Sequence, residues 1–132
     1  MVLDTSAIIA VIFGEPERPA LMDVMAEETR LVVSALTLYE TSVVAVGKKR
    51  DRTAIDLVDD MIRRMSIEVA AVTTDDAIAA RAAYLRFGRG WHPANLNLAD
   101  CFPYALAKAR DEPLLYKGND FSKTDIVPAW RP

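Results

Sequence analysis

Four carboxylates in this sequence stand among apolar neighbours, where a carboxylate is costly to keep. Asp4 closes the short apolar run of Val2 and Leu3 and precedes Ile8 and Ile9 in "MVLDTSAIIAVIF". Glu40, in "SALTLYETSVVAVG", lies four residues after Leu36, three before Val43 and four before Val44. Those offsets put it on the apolar stripe of a helix. Asp100, in "NLNLADCFPYALAKA", opens a stretch that continues with Cys101, Phe102, Tyr104 and Leu106. Asp120 sits in "KGNDF", four residues past Tyr116. A buried carboxylate is expensive unless it is paired, hydrogen-bonded or bound to a cation.

Each acid taken singly has a structural explanation. Asp4, Thr5 and Ser6 all suit the N-cap of a helix beginning near Ala7. Glu40 at the margin of its stripe would reach water or an arginine. Asp100 fits a capping box with Asn97 as N-cap, or is the N-cap itself, because Pro103 is comfortable only in a first turn. Asp120 suits a tight turn, with Gly118 and Asn119 tolerating positive φ. None of these explanations covers the four together. Brought to one place, their charges repel, and the cluster must raise its pKa values or bind a cation. Carboxylates without a matching set of His and Cys select a hard ion, Mg²⁺ or Mn²⁺. The single histidine, His92, builds no zinc site. A hard ion among carboxylates suits hydrolysis of a phosphodiester, because it acidifies water and neutralises phosphate oxygens.

Short apolar runs at 2–3, 31–33, 69–72 and 114–116 predict buried strands, with weaker support for a fifth at 126–127. Helical patterns lie between them at 7–13, 19–28, 53–65, 74–87 and 98–109, and Ser34 is placed to cap another helix running to about Gly47. Strands alternating with helices predict an α/β fold with a mainly parallel sheet. In such sheets functional groups gather beyond the carboxyl ends of strands. Asp4 follows the first strand and Asp120 follows the run at 114–116, so one sheet edge receives both.

The 132 residues, 52% of them apolar, make one domain, 1–132, with enough apolar content for a core and little room for disorder. The single cysteine, Cys101, excludes an internal disulfide and reads as a small buried hydrophobe. No basic leader precedes an apolar stretch and no apolar run approaches bilayer length, so a cytoplasmic protein with no membrane partner is expected. The formal charge of −3 argues against a general nucleic-acid coat. Its distribution is uneven: residues 1–40 carry seven acids and two bases, residues 41–66 six bases and four acids. The basic run "KKRDR" at 48–52 reads as an exposed helix end whose cations suit the C-terminal dipole.

Four stretches, "VLDTSAIIA", "LTLYET", "LNLADCFPYALAKA" and "PLLYKGNDFSKTDI", resemble in order and spacing the PIN-domain ribonucleases, specifically the VapC-type toxins of type II toxin–antitoxin pairs. The resemblance spans nearly the whole chain. It implies a three-layer α/β/α domain with a central parallel sheet of four to five strands. It also implies endonucleolytic cleavage of RNA with Mg²⁺ or Mn²⁺, a cognate antitoxin and a homodimer. The family's acids fall on Asp4, Glu40, Asp100 and Asp120, with Asp4 and Asp100 as the metal ligands and Ser6 and Asn119 as hydrogen-bonding neighbours. One departure is Pro103, where the family has a small residue; it predicts a helix that starts late or kinks.

An acidic nuclease needs local cations to hold phosphates. "LRFGRGWHP" offers Arg86, Arg89 and His92 interleaved with Phe87 and Trp91, a composition that stacks on and neutralises unpaired RNA; packing of Trp91 against the protein is the competing expectation. Lys117 is placed to meet a phosphate or to balance the acids. Ile12, Phe13, Leu21 and Met25 form either core or a groove for an antitoxin helix.

Three other functions are weaker. An aspartyl-phosphate phosphatase needs a second acid two residues after the first, where this chain has Ser6. A phospho-receiver needs paired acids after its first strand, whereas Asp75 and Asp76 follow a later one. A catalytically inactive module acting through antitoxin and operator binding has no reason to keep all four acids.

Overall fold

Very short strands build the centre of the molecule: those at Val2–Leu3, Val32–Ser34 and Leu114–Leu115 are buried on both faces, whereas the edge strand at Glu68–Ala70, expected to be buried, leaves Val69 40% exposed. The structure is a computed structural model and describes residues 1–131. In chain order the elements are β1 (Val2–Leu3), α1 (Thr5–Ile12), α2 (Arg18–Ala26), β2 (Val32–Ser34), α3 (Ala35–Lys49), α4 (Ala54–Arg64), β3 (Glu68–Ala70), α5 (Thr74–Phe87), α6 (Cys101–Arg110) and β4 (Leu114–Leu115). A single 3₁₀ turn, Phe121–Lys123, follows. The sheet order is β3-β2-β1-β4 and every pair is parallel.

Alternation along the strands divides the core into two faces. Val2 and Leu114 pack with α5, α6 and the turn at Phe121. Leu3, Val33 and Leu115 pack on the opposite side with α1, α2 and Met61 of α4. A smaller cluster of Ile9, Ala45, Ala54 and Val58 joins α1, α3 and α4. Val2, Leu3, Leu114 and Leu115 are all fully buried. This is the α/β/α sandwich expected, with helices on both faces of a parallel sheet.

The expected fifth strand does not form. Leu114 makes one isolated parallel bridge to Pro128, through Leu114 N–H to Val127 O (2.9 Å) and Ala129 N–H to Leu114 O (2.9 Å). Both bonds use Leu114's own N–H and C=O with the two neighbours of Pro128, and among the described residues no second bridge follows to extend the contact into a ladder.

Two helix starts carry consequences for the acids. Ser34 caps α3, accepting the Thr37 N–H at 3.0 Å. Helix α6 begins at Cys101, three residues later than the sequence pattern suggests. Pro103 is its third residue, where an N–H has no intrahelical partner to lose. The Ala99 carbonyl that Pro103 cannot serve accepts the Phe102 N–H instead, at 3.3 Å. At α5, Thr73 and Asp76 form a reciprocal capping box, which absorbs the acid that a phospho-receiver would have needed elsewhere.

From β1 the chain lays β2 and β3 to one side and then returns to place β4 on the other. The crevice between the ends of β1 and β4 is therefore the topological switch point of the sheet, the place where open α/β folds leave room for ligands.

Candidate active site

Asp4 leaves the end of β1 with its N–H bonded to Leu115 O of β4 (2.9 Å), so both sides of the switch point fix its backbone. It is the N-cap of α1, and its Oδ2 accepts from the Ser6 N–H (2.9 Å) and the Ser6 hydroxyl (2.5 Å). Ser6 Oγ in turn accepts the Lys117 N–H at 2.9 Å, tying the segment after β4 to the start of α1. Capping and presentation of a carboxylate thus coincide in one residue.

Glu40 comes from the middle of α3 and is half-buried; its Oε2 accepts the Thr5 hydroxyl at 2.6 Å. Asp100 stands at the start of α6 and is also half-buried. Its Oδ2 accepts the Asn97 N–H (2.7 Å), while Asn97 Oδ1 accepts the N–H groups of Ala99 (2.6 Å) and Asp100 (3.2 Å). The reciprocal Asn97–Asp100 hydrogen bonds read from the sequence are present, but they close the turn before α6, whose N-cap position is taken by Asp100 itself, the other alternative. Asp120 is exposed, just before the 3₁₀ turn, with Gly118 at φ +102° making the preceding bend. Asp4, Glu40, Asp100 and Asp120 line one cavity of about 160 Å³ together with Thr5, Ser6, Lys117 and Phe121.

The electrostatics record the crowding. Burial pushes Asp4 up to about 6, against the opposing Ser6 hydrogen bonds, and Glu40 adds to the rise. Burial pushes Asp100 up to about 7; the Asn97 N–H opposes it, and the charges of Asp4, Glu40 and Asp120 reinforce it. Desolvation is the larger cause in both, and repulsion within the cluster the smaller.

All the donors facing this cavity are oxygens with a surplus of negative charge, the set that suits a hard divalent cation. Among the described residues, no three His, Cys, Asp or Glu side chains come close enough to form a ready-made cage. A cation that keeps most of its water needs only one or two carboxylates. The cavity holds roughly five water volumes at about 30 Å³ each, enough for such a partly hydrated ion.

The other sequence candidates distribute themselves differently. Lys117 borders the cavity, but its ammonium pairs with Glu15 (2.8 Å) and Glu17 (2.7 Å) rather than with the four acids. Glu15 also pairs with Lys48 at the end of α3, where the basic run does form an exposed helix terminus. Arg89 lines a cleft of about 550 Å³ between α5 and α6 with Arg81, Tyr84, Leu98 and Phe102. Asn97 lines that cleft too, so it adjoins Asp100. Arg86 is directed elsewhere: it pairs with Asp125 at 3.0 Å and lies over the Phe87 ring. Trp91 is 57% exposed, yet its indole N–H donates to Leu85 O (3.1 Å) and its ring meets Tyr84 edge-on. His92 accepts the Ala94 N–H and packs on Phe87. Asn119 contributes only its carbonyl, to Ser122, and lies outside the acidic cavity.

Leu21 and Met25 are core residues, so of the expected antitoxin groove only Ile12 and Phe13 keep partial exposure. Cys101 is buried as expected, and burial pushes its thiol up to about 11. The residues that sequence reasoning passed over are Thr5 as a partner of Glu40 and Thr41 behind it. Thr41 is fully buried, and its place beside Glu40 was the one available signal.

A parallel α/β/α sandwich with four acids at its switch point is the arrangement of a PIN domain, and a PIN-domain family model matches residues 1–127; the chain belongs to that family. Within it the chain is 43% identical over 131 residues to Ribonuclease VapC42 of Mycobacterium tuberculosis, covering 98% of each chain. It is 40% identical over 127 residues to Ribonuclease VapC of Mycolicibacterium smegmatis, covering 96% of this chain and 98% of the relative. Among solved structures it is similar to VapC20 of Mycobacterium tuberculosis, described as a sarcin–ricin loop cleaving toxin. That match has a TM-score of 0.77 at 21% identity and covers 99% and 98% of the two chains. A toxin–antitoxin complex from Klebsiella pneumoniae matches with a TM-score of 0.70 at 18% identity, covering 99% and 98%. At those identities the two structures support the fold alone.

Proposed function

We propose that this chain is a metal-dependent endoribonuclease, the toxin of a toxin–antitoxin pair, with Asp4, Glu40, Asp100 and Asp120 as its catalytic acids. The observation that carries the reading is the meeting of these four carboxylates in one small cavity, with Asp4 and Asp100 raised to about 6 and 7. Full-length similarity to proteins named VapC ribonucleases supports the same activity.

Asp4 and Asp100 are the residues to hold Mg²⁺, or Mn²⁺ in its place. They are the two acids most disfavoured as bare anions, and a cation relieves that cost. The bound ion supplies positive charge for the phosphate oxygens and lowers the pKa of water near the scissile bond. Glu40, fixed by Thr5, and Asp120, on the open side, are placed to orient the attacking water and take up its proton. Ser6 keeps the Asp4 carboxylate in one orientation through two hydrogen bonds. Arg89, in the cleft that Asn97 also lines, offers charge, and the exposed Trp91, edge-on to Tyr84 of that cleft, offers a stacking face for unpaired RNA. A cognate antitoxin and a homodimer complete the proposed assembly. An inactive binding module is disfavoured because nothing in such a role requires four mutually repelling acids.

The test is cleavage of total RNA by protein freed of any partner. Activity with Mg²⁺ or Mn²⁺, its loss on adding EDTA, and its loss in Asp100→Asn with the fold retained support the proposal. EDTA-resistant cleavage overturns the metal requirement, and full activity of Asp100→Asn overturns the site.

A further inference from the structure

Three consecutive residues at the start of α1 reach three walls of the acidic cavity. Asp4 presents its own carboxylate, Ser6 ties it to the segment after β4, and Thr5 reaches across to α3. The Thr5 hydroxyl donates to Glu40 Oε2 at 2.6 Å, the length of a charge-assisted bond from a hydroxyl to a carboxylate. Behind it, the fully buried Thr41 hydroxyl donates to Thr37 O at 2.7 Å and, as a weaker branch, to Thr5 Oγ1 at 3.2 Å. A hydroxyl carries one proton and can both donate and accept. With a Thr5 lone pair turned towards Thr41, its proton is left to face Glu40. Thr41 is itself locked to the backbone of its own helix, so the chain of hydroxyls is anchored at its far end.

From this geometry we infer that Thr5 is a positioning residue for Glu40: it holds one carboxylate oxygen so that the other is presented to the cavity. A glutamate has three side-chain torsions, and Oε2 would otherwise sample the half-open space beside α3. Bonding at Oε2 leaves Oε1 as the oxygen free to meet water, cation or substrate. The single dipeptide Asp4–Thr5 thereby sets two of the four acids, one through the backbone and one through a hydroxyl. The inference rests on the proposed function in assigning Glu40 catalytic work, but the restraint on Glu40 belongs to the protein alone.

The experiment compares the wild type with Thr5→Val and Thr5→Ser. Valine keeps the branched shape at this half-buried position and removes only the hydroxyl, while serine keeps the donor. In metal-free protein with ¹³C-labelled glutamate, relaxation of the Glu40 side chain, assigned with Glu40→Gln, should report one ordered rotamer in the wild type and Thr5→Ser. Thr5→Val should show a mobile one. In RNA cleavage, kcat of Thr5→Val should fall about 10- to 100-fold, the range typical of residues that orient active-site ligands. Its KM for RNA should stay within about twofold, and Thr5→Ser should restore kcat. An equally ordered Glu40 in Thr5→Val, or a Thr5→Ser defect as deep as that of valine, overturns the inference. If Thr5→Val does not fold, Thr5→Ala carries the same expectations. If the wild type cleaves no RNA with any divalent ion, the functional proposal fails while the relaxation measurement still decides the role of Thr5.

Discussion

Replacing Asp4 by asparagine removes a charge that burial disfavours and keeps an oxygen for Ser6 to bind. Asp4 is 4% exposed and its pKa rises from 3.8 to about 6. A rise of about two units corresponds to roughly 3 kcal/mol of differential interaction between the protonated and charged forms. The sign follows from proton uptake. Between the unfolded and folded pKa values the folded state binds more protons, so stability falls as pH rises from about 4 to about 6 and stays low above that. Asparagine does not titrate. Its advantage should be near zero at about pH 4 and grow to about 2 kcal/mol by pH 7.5, the remainder being spent on the partly unsatisfied amide N–H₂ group. For a chain of this length that is a gain of roughly 6–10 °C in Tm. Urea denaturation of both proteins in EDTA at several pH values measures the difference directly. Adding Mn²⁺ should then stabilise the wild type and not Asp4→Asn, which should also have lost cleavage. A less stable Asp4→Asn at pH 7.5, or a difference that does not change with pH, would show that the cap matters and the buried charge does not.

Three further outcomes can be measured independently. Trp91→Ala and Arg89→Ala should raise KM for RNA by about 5-fold or more, the lower range of lost base stacking, whereas Arg86→Ala should leave it unchanged because its guanidinium is committed to Asp125; steady-state cleavage that ranks Arg86 with the other two refutes the assignment. Tyr104→Phe removes a hydroxyl that donates to Asp125 at 2.5 Å and should cost about 1–2 kcal/mol in urea denaturation, with kcat unaltered. Leu115→Ala empties a fully buried position on the α1–α2 side of the sheet and should cost about 3–5 kcal/mol, read as a lowered urea midpoint.

Much of the architecture was legible because short-range chemistry decides it. Val2 and Leu3 form β1 where the apolar run ends, Ser34 caps α3, and α5 occupies 74–87, each from a pattern within one or two turns of chain. The expected strand at 126–127 is reduced to one bridge, at Pro128, because pairing at an edge depends on the partner's register and not on local hydrophobicity. The late start of α6 was visible only as a consequence of Pro103, and only the structure shows Phe102 taking over the Ala99 carbonyl. Leu21 and Met25 had two uses in the sequence and one in the fold, since burial is a property of neighbours and not of a residue type.

The acids divide in the same way. The sequence by itself determined which carboxylates sit among apolar residues and that two of them follow strands, because hydrophobic periodicity and strand order are written along the chain. Only the tertiary structure decided that α3 and α6 bring Glu40 and Asp100 to the same cavity as Asp4 and Asp120. It alone decided that Arg86 turns away to Asp125, that Lys117 is held by Glu15 and Glu17, and that Thr5 spans 35 positions to reach Glu40. The physical reason is range: propensity and capping act over a few residues, whereas desolvation, charge repulsion and hydrogen-bond partnership depend on distances in space that only the packed sheet and helices set.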